Sequence, residues 1–337
     1  MSTSLVNRRV ILSGRPKGVP QAEYFSIEEA PVPDLAASEM LIETQYWSVD
    51  PAMRGWVNDV PNYSPPVEIG ATMRSFAVGK VVASEHPDYA IGEIVTGLLG
   101  WQRYAISDGS NIDRKFNETD LSPSLALGVL GINGVTAYFG LLDICDPDPD
   151  ESVVVSTAAG AVGSAVGQIA KIQGCRTVGI TSSEEKMTLC RERFGYDNVI
   201  NYREEDVAKA IKDTCPEGVN CYFDNTCGPI SDAVMANLAI GARITICGTA
   251  AFTDWDPIPI GPRVNRQVLV ARARMQGLLV FDYQDRYGEA YGALANWVRE
   301  GKLTQEEHIL DGADAAPEAI AMLYRGENTG KLLIKVD

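Results

Sequence analysis

The stretch Val153-Val154-Val155-Ser156-Thr157-Ala158-Ala159-Gly160-Ala161-Val162-Gly163 passes from an apolar β-type run into a helical run through small residues. A turn of this kind places bare backbone amides at the positive end of a helix dipole, where a pyrophosphate can approach them closely. We therefore expect Gly160-Ala161-Val162-Gly163 to contact a dinucleotide. Ala158 stands where the dinucleotide fingerprint usually has its first glycine, so the pattern alone leaves a plain strand–turn–helix open.

Strand-like runs alternate with amphipathic helical runs from Leu125 onward. The helix after the turn carries Val162, Val166 and Ile169 at the spacing that forms a single apolar face. This alternation predicts an α/β fold with a doubly wound parallel sheet and helices on both faces. The predicted strands are 153–157, 176–181, 199–201, 220–225, 242–247 and 275–281, and a helix is predicted at 287–300.

The chain before residue 125 has a different pattern, with short β-type runs at 40–44, 78–84 and 93–99. Proline- and glycine-rich turns such as Ser64-Pro65-Pro66 separate them. A length of 337 residues suits two domains. We predict a β-rich catalytic domain at 1–125 and a dinucleotide-binding domain at 126–301. We expect 302–337 to return to the first domain through a strand at 331–336.

The composition is that of a globular protein, with 45% hydrophobic and 22% charged residues. The longest apolar runs, such as 277–281, are far shorter than the ~20 residues of a membrane span. Residues 1–9 carry charge but lead into no signal-peptide core, so a cytoplasmic location is expected. The net charge of −16 repels nucleic-acid phosphates, which excludes a polyanion as the partner.

Few residues in this chain could ligate a metal. The cysteines are seven in number and scattered, and the two histidines, His86 and His308, stand beside no Cys or Glu in a metal-ligand pattern. The cysteines are therefore interpreted as small buried hydrophobic residues, and the histidines as surface groups. The shortage of Cys and His ligands argues against a zinc alcohol dehydrogenase, and no metal is expected.

The end of the second predicted strand decides the choice of dinucleotide. An acidic side chain there would hold the ribose 2′-hydroxyl of NAD, but the strand ends in Thr181-Ser182-Ser183. Lys186 follows one turn into the next helix and can bind a 2′-phosphate that a carboxylate would repel. The sequence therefore predicts NADPH, with Ser182 and Lys186 in its site. In a second interpretation, which can hold together with the first, Ser182 and Glu185 form a capping box and Lys186 is a solvated charge.

Several further stretches, spread over nearly the whole chain, form a specific set of motifs. They are Ser48-Val49-Asp50-Pro51-Ala52-Met53-Arg54-Gly55, Tyr63-Ser64-Pro65-Pro66-Val67-Glu68-Ile69-Gly70, the turn at 158–167, Glu185-Lys186, Asn201-Tyr202, Phe223-Asp224-Asn225, Ile246-Cys247-Gly248 and Asn328-Thr329-Gly330-Lys331. With these motifs the sequence resembles the leukotriene B4 dehydrogenase/prostaglandin reductase group of medium-chain dehydrogenases/reductases. It is most similar to the bacterial NADPH-dependent curcumin reductase branch of that group.

The resemblance implies a GroES-like catalytic domain, a Rossmann domain, and NADPH bound without zinc in the cleft between them. It implies that Lys186 and Tyr202 hold the 2′-phosphate, and that Asn225, Cys247 and Asn328 line the rest of the coenzyme path. From the residues alone, Tyr202 could instead cover the sheet edge, Asn225 could close a turn and Cys247 could belong to the core. The resemblance also implies a homodimer joined through the last Rossmann strands, near 277–281.

Two phenol groups that members of this group commonly carry are replaced here, one by Ala52 and the other by Phe281. Tyr63 is then the best remaining candidate for a catalytic donor, and Tyr283 could substitute for Phe281 through a local shift. The segment 252–255 also differs, so the range of substrates is expected to differ from that of the curcumin reductases.

The activity implied by the resemblance is the reduction of an activated carbon–carbon double bond. Hydride reaches the β-carbon of an enone or enal, and hydrogen-bond donors must stabilise the charge that develops on the carbonyl oxygen. Tyr63, the ribose 2′-hydroxyl and backbone amides are candidate donors, and Tyr63 or water could protonate the α-carbon. The alternatives are an NADPH quinone oxidoreductase and a non-catalytic NADPH-binding sensor.

Overall fold

A computed structural model of the chain describes residues 5–60 and 62–336. It divides into two compact units, one formed by Met1–Leu127 with Glu307–Asp337 and the other by Gly128–Glu306. The predicted divisions at 125 and 301 lie slightly before these boundaries. The first four residues of the stretch considered as a possible signal segment lie outside the described residues.

The N-terminal part of the first unit is mainly β-structure. A two-stranded antiparallel sheet pairs β1 with β2. The remaining strands belong to a larger sheet in which β3 is central, because β4 pairs with one side of it and β6 pairs with the other. The elements are β1 (Val6–Leu12), β2 (Phe25–Pro31), β3 (Met40–Ser48), the short helix α1 (Met53–Trp56), β4 (Ala77–Ser84), β5 (Ile94–Gly97), β6 (Tyr104–Ser107) and β7 (Ile112–Lys115).

The second unit contains a six-stranded parallel sheet flanked by helices. Its elements are α2 (Ile132–Phe139), β8 (Ser152–Ser156), α3 (Ala161–Ile172), β9 (Arg176–Thr181), α4 (Glu184–Thr188), β10 (Asn198–Asn201), α5 (Val207–Thr214), β11 (Val219–Asp224), α6 (Gly228–Met235), β12 (Leu238–Ile246), α7 (Asn265–Ala271), β13 (Arg274–Gly277) and α8 (Tyr287–Arg299). The strands lie in the order β10-β9-β8-β11-β12-β13. Counted along the chain this is 3-2-1-4-5-6, the Rossmann order, which confirms the predicted fold class.

The parallel strands are apolar because helices cover both faces of the sheet. Val153, Val154 and Val155 of β8 are completely buried, as is Tyr222 of β11. Val154 and Tyr222 pack in one cluster with apolar side chains from helices α5 and α6. The central strands are therefore held rigidly, and the loops at their carboxyl ends have fixed starting points.

The predicted strand at 275–281 is only partly correct. Strand β13 ends at Gly277, and Phe281 lies in a 3-10 helix at Val280–Arg286. The neighbouring strand β12 ends at Ile246, and its last carbonyl accepts a hydrogen bond from Leu278 N at 2.9 Å. Beyond that point β12 offers no further residues for pairing, so the chain leaves the sheet.

The last segment of the chain returns to the first unit as β14 (Glu307–Asp311), α9 (Ala316–Arg325) and β15 (Lys331–Lys335). Strand β15 pairs antiparallel with β3, and β14 pairs parallel with β15. They complete a seven-stranded sheet ordered β14-β15-β3-β4-β5-β7, with β6 also on β3. None of the helices in the described part of the chain has the length and apolar character needed to cross a bilayer.

Candidate functional site

The small-residue turn between β8 and α3 is built tightly. Thr157 adopts a positive φ of 56°, which reverses the chain at the end of the strand. Ala158 is completely buried and its backbone N donates to Ile180 O at 3.0 Å, while Gly160 N donates to Thr157 O at 2.9 Å. Helix α3 then begins at Ala161. The turn is thus fixed to the neighbouring strand β9 as well as to its own strand.

Two glycines make this turn possible. A Cβ added to Gly163 would lie 2.9 Å from the carbonyl carbon of Thr157 and closer still to its oxygen. A Cβ added to Gly179 on β9 would lie 2.7 Å from the Cβ of Ala158. The chain can therefore have Ala158 where the usual pattern has a glycine, because Gly179 leaves room for the extra methyl group.

The N-terminus of α3 is suited to bind an anion. Gly160 is the residue before the first helical turn, and as a glycine it has no side chain that could cap the helix. The backbone N–H groups of a first helical turn have no partner within the helix, and the helix dipole adds positive potential at this end. The helix is 12 residues long, so several amides share this direction.

The helix after β9 is capped by Ser183 rather than by Ser182. Ser183 precedes the first turn of α4, and its Oγ accepts a hydrogen bond from Lys186 N at 3.3 Å. A capping box of Ser182 and Glu185 is therefore wrong, because the cap lies one residue later and Lys186 stands at its third position. Ser182 is half-buried and takes no part in this cap.

Lys186 lies close to a second cation. Its side chain is half-buried, and burial together with the nearby charge of Arg203 lowers its pKa, against an opposing effect of Glu185. Tyr202 follows β10 with its side chain 39% exposed, and the Arg203 guanidinium lies 6.0 Å from the centre of its ring. This corner therefore combines two cations with an exposed phenol.

Asn225 is bound to the end of β8. Its backbone N donates to Ser156 Oγ at 2.8 Å, and its side-chain Nδ2 donates to Ser156 O at 2.7 Å. Cys247 follows β12, and its backbone N donates to Asp224 O at 2.8 Å. Burial, and to a lesser degree the charge of Asp224, raise the pKa of the Cys247 thiol to about 12. This cysteine is therefore a neutral thiol at neutral pH.

Asp224 is a buried anchor that the sequence motif did not single out. It is completely buried, and its Oδ1 accepts hydrogen bonds from Tyr222 Oη at 3.0 Å and from the backbone N of Thr226 and Cys227 at 3.0 and 2.8 Å. These bonds hold the turn after β11, in which Cys227 has a φ of 62°. Asp224 therefore fixes the residue next to it, Asn225.

Most of the predicted coenzyme residues lie at one edge of the parallel sheet. The turn at 160–163, Lys186, Tyr202, Asn225 and Cys247 each follow a different strand at its carboxyl end. The edge includes the point between β8 and β11 where the strand order reverses, which is where open α/β sheets bind ligands. Ser182 lies at the same strand end as Lys186, directly after β9, and the remaining predicted site residues, Asn328 and Tyr63, belong to the first unit.

Tyr63 lies in a well-anchored loop of the first unit. Its side chain is 52% exposed, and its backbone N donates to Asn62 Oδ1 at 2.7 Å. Arg74 Nη1 donates to Ser64 Oγ and to Pro65 O, both at 2.7 Å. Arg74 thus anchors the loop on the carboxyl side of Tyr63, and the phenol itself remains accessible.

A second phenol of the first unit, Tyr324, was missed by sequence reasoning. Its Oη donates to Pro51 O at 3.2 Å, next to Ala52. Burial raises the pKa of Tyr324 to about 12, against a lowering effect of Arg54, and Tyr63 raises it slightly further. Tyr324 is an isolated tyrosine in an amphipathic helix, and nothing in the sequence around it indicates that it lies beside Pro51.

Tyr283 and Asn328 both have defined surroundings within their own units. The Tyr283 ring stacks on Phe139 with the ring centres 4.5 Å apart, and burial raises its pKa. Tyr283 is therefore held in a ring pair of the second unit. Asn328 is half-buried, and its Nδ2 donates to Gly330 O at 2.8 Å, which shapes the turn before β15.

The side chains that could ligate a metal are dispersed among the described residues. No three or more His, Cys, Asp or Glu side chains in 5–60 and 62–336 come together in a way that could hold a metal ion. His86 instead bonds through its ring to the loop around it, with Nδ1 accepting from Asp88 N at 3.0 Å.

Comparison with known families matches most of the chain. The family described as N-terminal domain of oxidoreductase matches residues 8–114, and the one described as zinc-binding dehydrogenase matches residues 161–296. The first match lies within the β-rich part of the first unit and the second within the parallel-sheet unit.

Individual relatives are similar over almost their full length. The NADPH-dependent curcumin reductase of Escherichia coli is 41% identical over 98% of this chain and 97% of its own. The NADP(+)-dependent 2-alkenal reductase of Nicotiana tabacum is 33% identical over 100% and 99%. The crystal structure of CurA from Vibrio vulnificus in complex with NADPH has a TM-score of 0.92 at 40% identity, covering 98% of this chain and 99% of that one.

Proposed function

The chain belongs to the medium-chain dehydrogenases/reductases, in the group of prostaglandin and curcumin reductases, and from this premise we propose that it reduces the carbon–carbon double bond of α,β-unsaturated ketones and aldehydes with NADPH. It is an NADP-dependent oxidoreductase. The observation that carries the proposal lies at the carboxyl ends of the neighbouring strands β8 and β9. Helix α3 begins after β8 without a side-chain cap, and Lys186 follows β9, whose end 181–183 has no carboxylate.

The residues at the sheet edge fit the parts of this coenzyme. The amides of the turn at 160–163 suit the pyrophosphate, and Lys186 with Tyr202 suits the 2′-phosphate. Lys186 is half-buried beside a second cation, an arrangement that a bound dianion relieves. Asn225 and Cys247 offer neutral hydrogen-bonding groups farther along the same edge, and Asn328 is proposed as a further residue of the coenzyme site.

The proposed reduction uses no metal, so hydrogen-bond donors must stabilise the negative charge that develops on the substrate. When bound, the nicotinamide supplies a hydride for the β-carbon of the substrate. The α-carbon is then protonated by water or by a side chain. We propose that Tyr63 donates a hydrogen bond to the carbonyl oxygen, on which negative charge develops. The phenol is accessible, and Arg74 holds its loop at Ser64 and Pro65. This geometry supports a positioned donor rather than a mobile one.

The test is steady-state turnover with three classes of acceptor. We expect NADPH oxidation with a simple enone and a 2-alkenal, with product analysis showing the saturated carbonyl compound and no alcohol. A simple quinone serves as the competing substrate, and NADH as the competing coenzyme. Turnover of the quinone with none of the enone or alkenal would assign the chain to quinone reduction instead. Tight NADPH binding without any turnover would favour a sensor.

The same assay tests the role of Tyr63. Tyr63→Phe is expected to lower kcat/KM by about 10- to 100-fold, because the variant has no donor for the developing oxyanion at this position. The Kd for NADPH should stay unchanged, since Tyr63 is not assigned to the coenzyme. Tyr89→Phe, a phenol of the same unit that is also partly exposed, is the matched control. Equal turnover of both variants and the wild type would remove Tyr63 from the mechanism.

We also propose the homodimer that the resemblance implies, joined at the outer strand of the parallel sheet. All four residues of β13 are exposed, and on the neighbouring helix α7 Leu269 and Val270 are 75% and 56% exposed. An open strand edge beside exposed apolar side chains favours pairing with a second copy. Sedimentation should give twice the mass of one chain, and Met275→Asp on β13 should shift it toward one. A wild-type monomer would exclude the dimer.

A further inference from the structure

Arg203 stands at the corner where β9 and β10 end. The two strands are parallel neighbours, and Thr181 is the register partner of Asn201. The residues that follow each strand therefore emerge side by side, with Ser182, Ser183 and α4 after one and Tyr202 and Arg203 after the other. Arg203 and Lys186 reach this corner from neighbouring strands.

The backbone at Arg203 is fixed by a buried asparagine. Arg203 N donates to Asn201 Oδ1 at 3.1 Å, and Asn201 N donates to Glu205 Oε1 at 2.7 Å. Asn201 is only 2% exposed, and Tyr202 N donates to Thr181 O at 3.0 Å. The turn thus has little freedom, so Arg203 starts from a defined point even though its side chain is exposed.

The charge around Arg203 is unusual for this protein. The chain has 45 acidic and 29 basic residues, yet no carboxylate in the described ranges lies within 4 Å of the Arg203 guanidinium, and its close electrostatic neighbour is the cation Lys186. Glu204 follows Arg203 directly but forms no ion pair with it among the described residues, and the next two acids along the chain are occupied. Glu205 binds the backbone of Asn201, and Asp206 caps α5 by accepting from Lys209 N at 3.1 Å.

We propose that Arg203 is a specificity-determining residue that binds the 2′-phosphate of NADPH together with Lys186. The inference rests on the proposed coenzyme and extends it to a residue outside the sequence motifs. A phosphate monoester carries up to two negative charges and three acceptor oxygens, which can face two cations at once. The planar guanidinium can bind two of these oxygens side by side, while Lys186 acts as a point charge. NADH lacks the phosphate, so it gains nothing from either cation.

The test is the equilibrium Kd of NADPH and of NADH, measured by coenzyme fluorescence without substrate. Arg203→Ala is expected to raise the Kd of NADPH by about 10- to 100-fold, because alanine cannot form the charge-assisted hydrogen bonds to the phosphate. The Kd of NADH should remain close to the wild-type value. Arg203→Lys keeps the charge but not the two-point contact, so an intermediate Kd for NADPH is expected.

Arg176→Ala is the matched control. Arg176 is also exposed, and its replacement removes the same charge, but it stands at the opposite, amino end of β9. This variant should leave both Kd values unchanged. If the wild type prefers NADPH and Arg203→Ala keeps that preference, the inference fails while the proposed function stands. If Arg203→Ala weakens both coenzymes equally, the residue has no selective role and the inference also fails. A wild type that binds the two coenzymes equally would overturn both proposals.

Discussion

Lys331→Met is expected to lower the free energy of unfolding of the first unit by about 3–5 kcal/mol, because it removes one partner of a buried ion pair. Lys331 is only 1% exposed, and its Nζ donates to Asp50 Oδ1 at 2.7 Å, to Ser48 Oγ at 2.6 Å and to Val49 O at 3.2 Å. All three ammonium donors are thus used. Methionine fills a similar volume but leaves the Asp50 carboxylate without this cation.

The destabilisation should be measured by urea unfolding with Lys335→Met as the control. Lys335 lies on the same strand β15, but its side chain is exposed, so its replacement should change stability by less than about 0.5 kcal/mol. Combining Lys331→Met with Asp50→Asn should cost less than the sum of the two single changes, since no charge is then left buried. Equal unfolding curves for the Lys331 and Lys335 variants would contradict the prediction.

Gly163→Ala is expected to weaken NADPH binding by about 100-fold or more, because each hydrogen bond that a backbone amide no longer donates to the phosphates costs about tenfold. The added Cβ would overlap the Thr157 carbonyl, so the first turn of α3 must move away from the strand end. Overpacking of this kind also costs about 1–3 kcal/mol of stability. The coenzyme Kd and the urea midpoint would both report the change.

Gly292→Ala provides the matched control for this substitution. Gly292 lies within α8, and apart from the helix's own backbone an added Cβ there has no described neighbour within 4 Å. The change should leave the Kd of NADPH unaltered and stabilise the protein by up to about 1 kcal/mol, because alanine favours the helix. If Gly163→Ala binds NADPH as Gly292→Ala does, the tight approach at the turn has no role in coenzyme binding.

The sequence predicted the parallel-sheet unit well because its signals are local. Each central strand is a short apolar run, and each following helix shows one apolar face. The rule of right-handed connections then restricts the ways in which six such strands can be ordered. Strand 176–181 has the predicted bounds, and β8 differs from the predicted 153–157 by one residue at each end.

Other features depended on interactions that are distant in sequence. Phe281 continues an apolar run, but the strand stops earlier because β12 ends and Tyr283 finds Phe139 as a ring partner. The adjacent Ser182 and Ser183 are chemically equivalent, and only the chain direction at the strand end selects the second as the cap. Lys331 would be placed at the surface by any pattern, since Asp50 is 281 positions away.

For the corner that holds Lys186, the sequence identified the lysine and Tyr202 but not Arg203. An arginine followed by Glu204 and Glu205 looks like part of a solvated charge run. Only the folded turn shows that Glu205 bonds back to Asn201 and leaves the guanidinium without a carboxylate among the described residues. The distribution of hydrogen bonds, rather than the composition, distinguishes the two interpretations.

The seven-stranded sheet of the first unit has a consequence for synthesis on the ribosome. The last residues of β3, 46–48, need β15 as their partner, and between β3 and β15 the chain makes the entire parallel-sheet unit. At about 5–20 residues per second, the ribosome delivers β15 roughly 15–60 s after β3 has emerged. During that interval residues 46–48 of β3 lack their strand partner and Asp50 lacks Lys331, so a nascent chain is open to chaperones and to mispairing there.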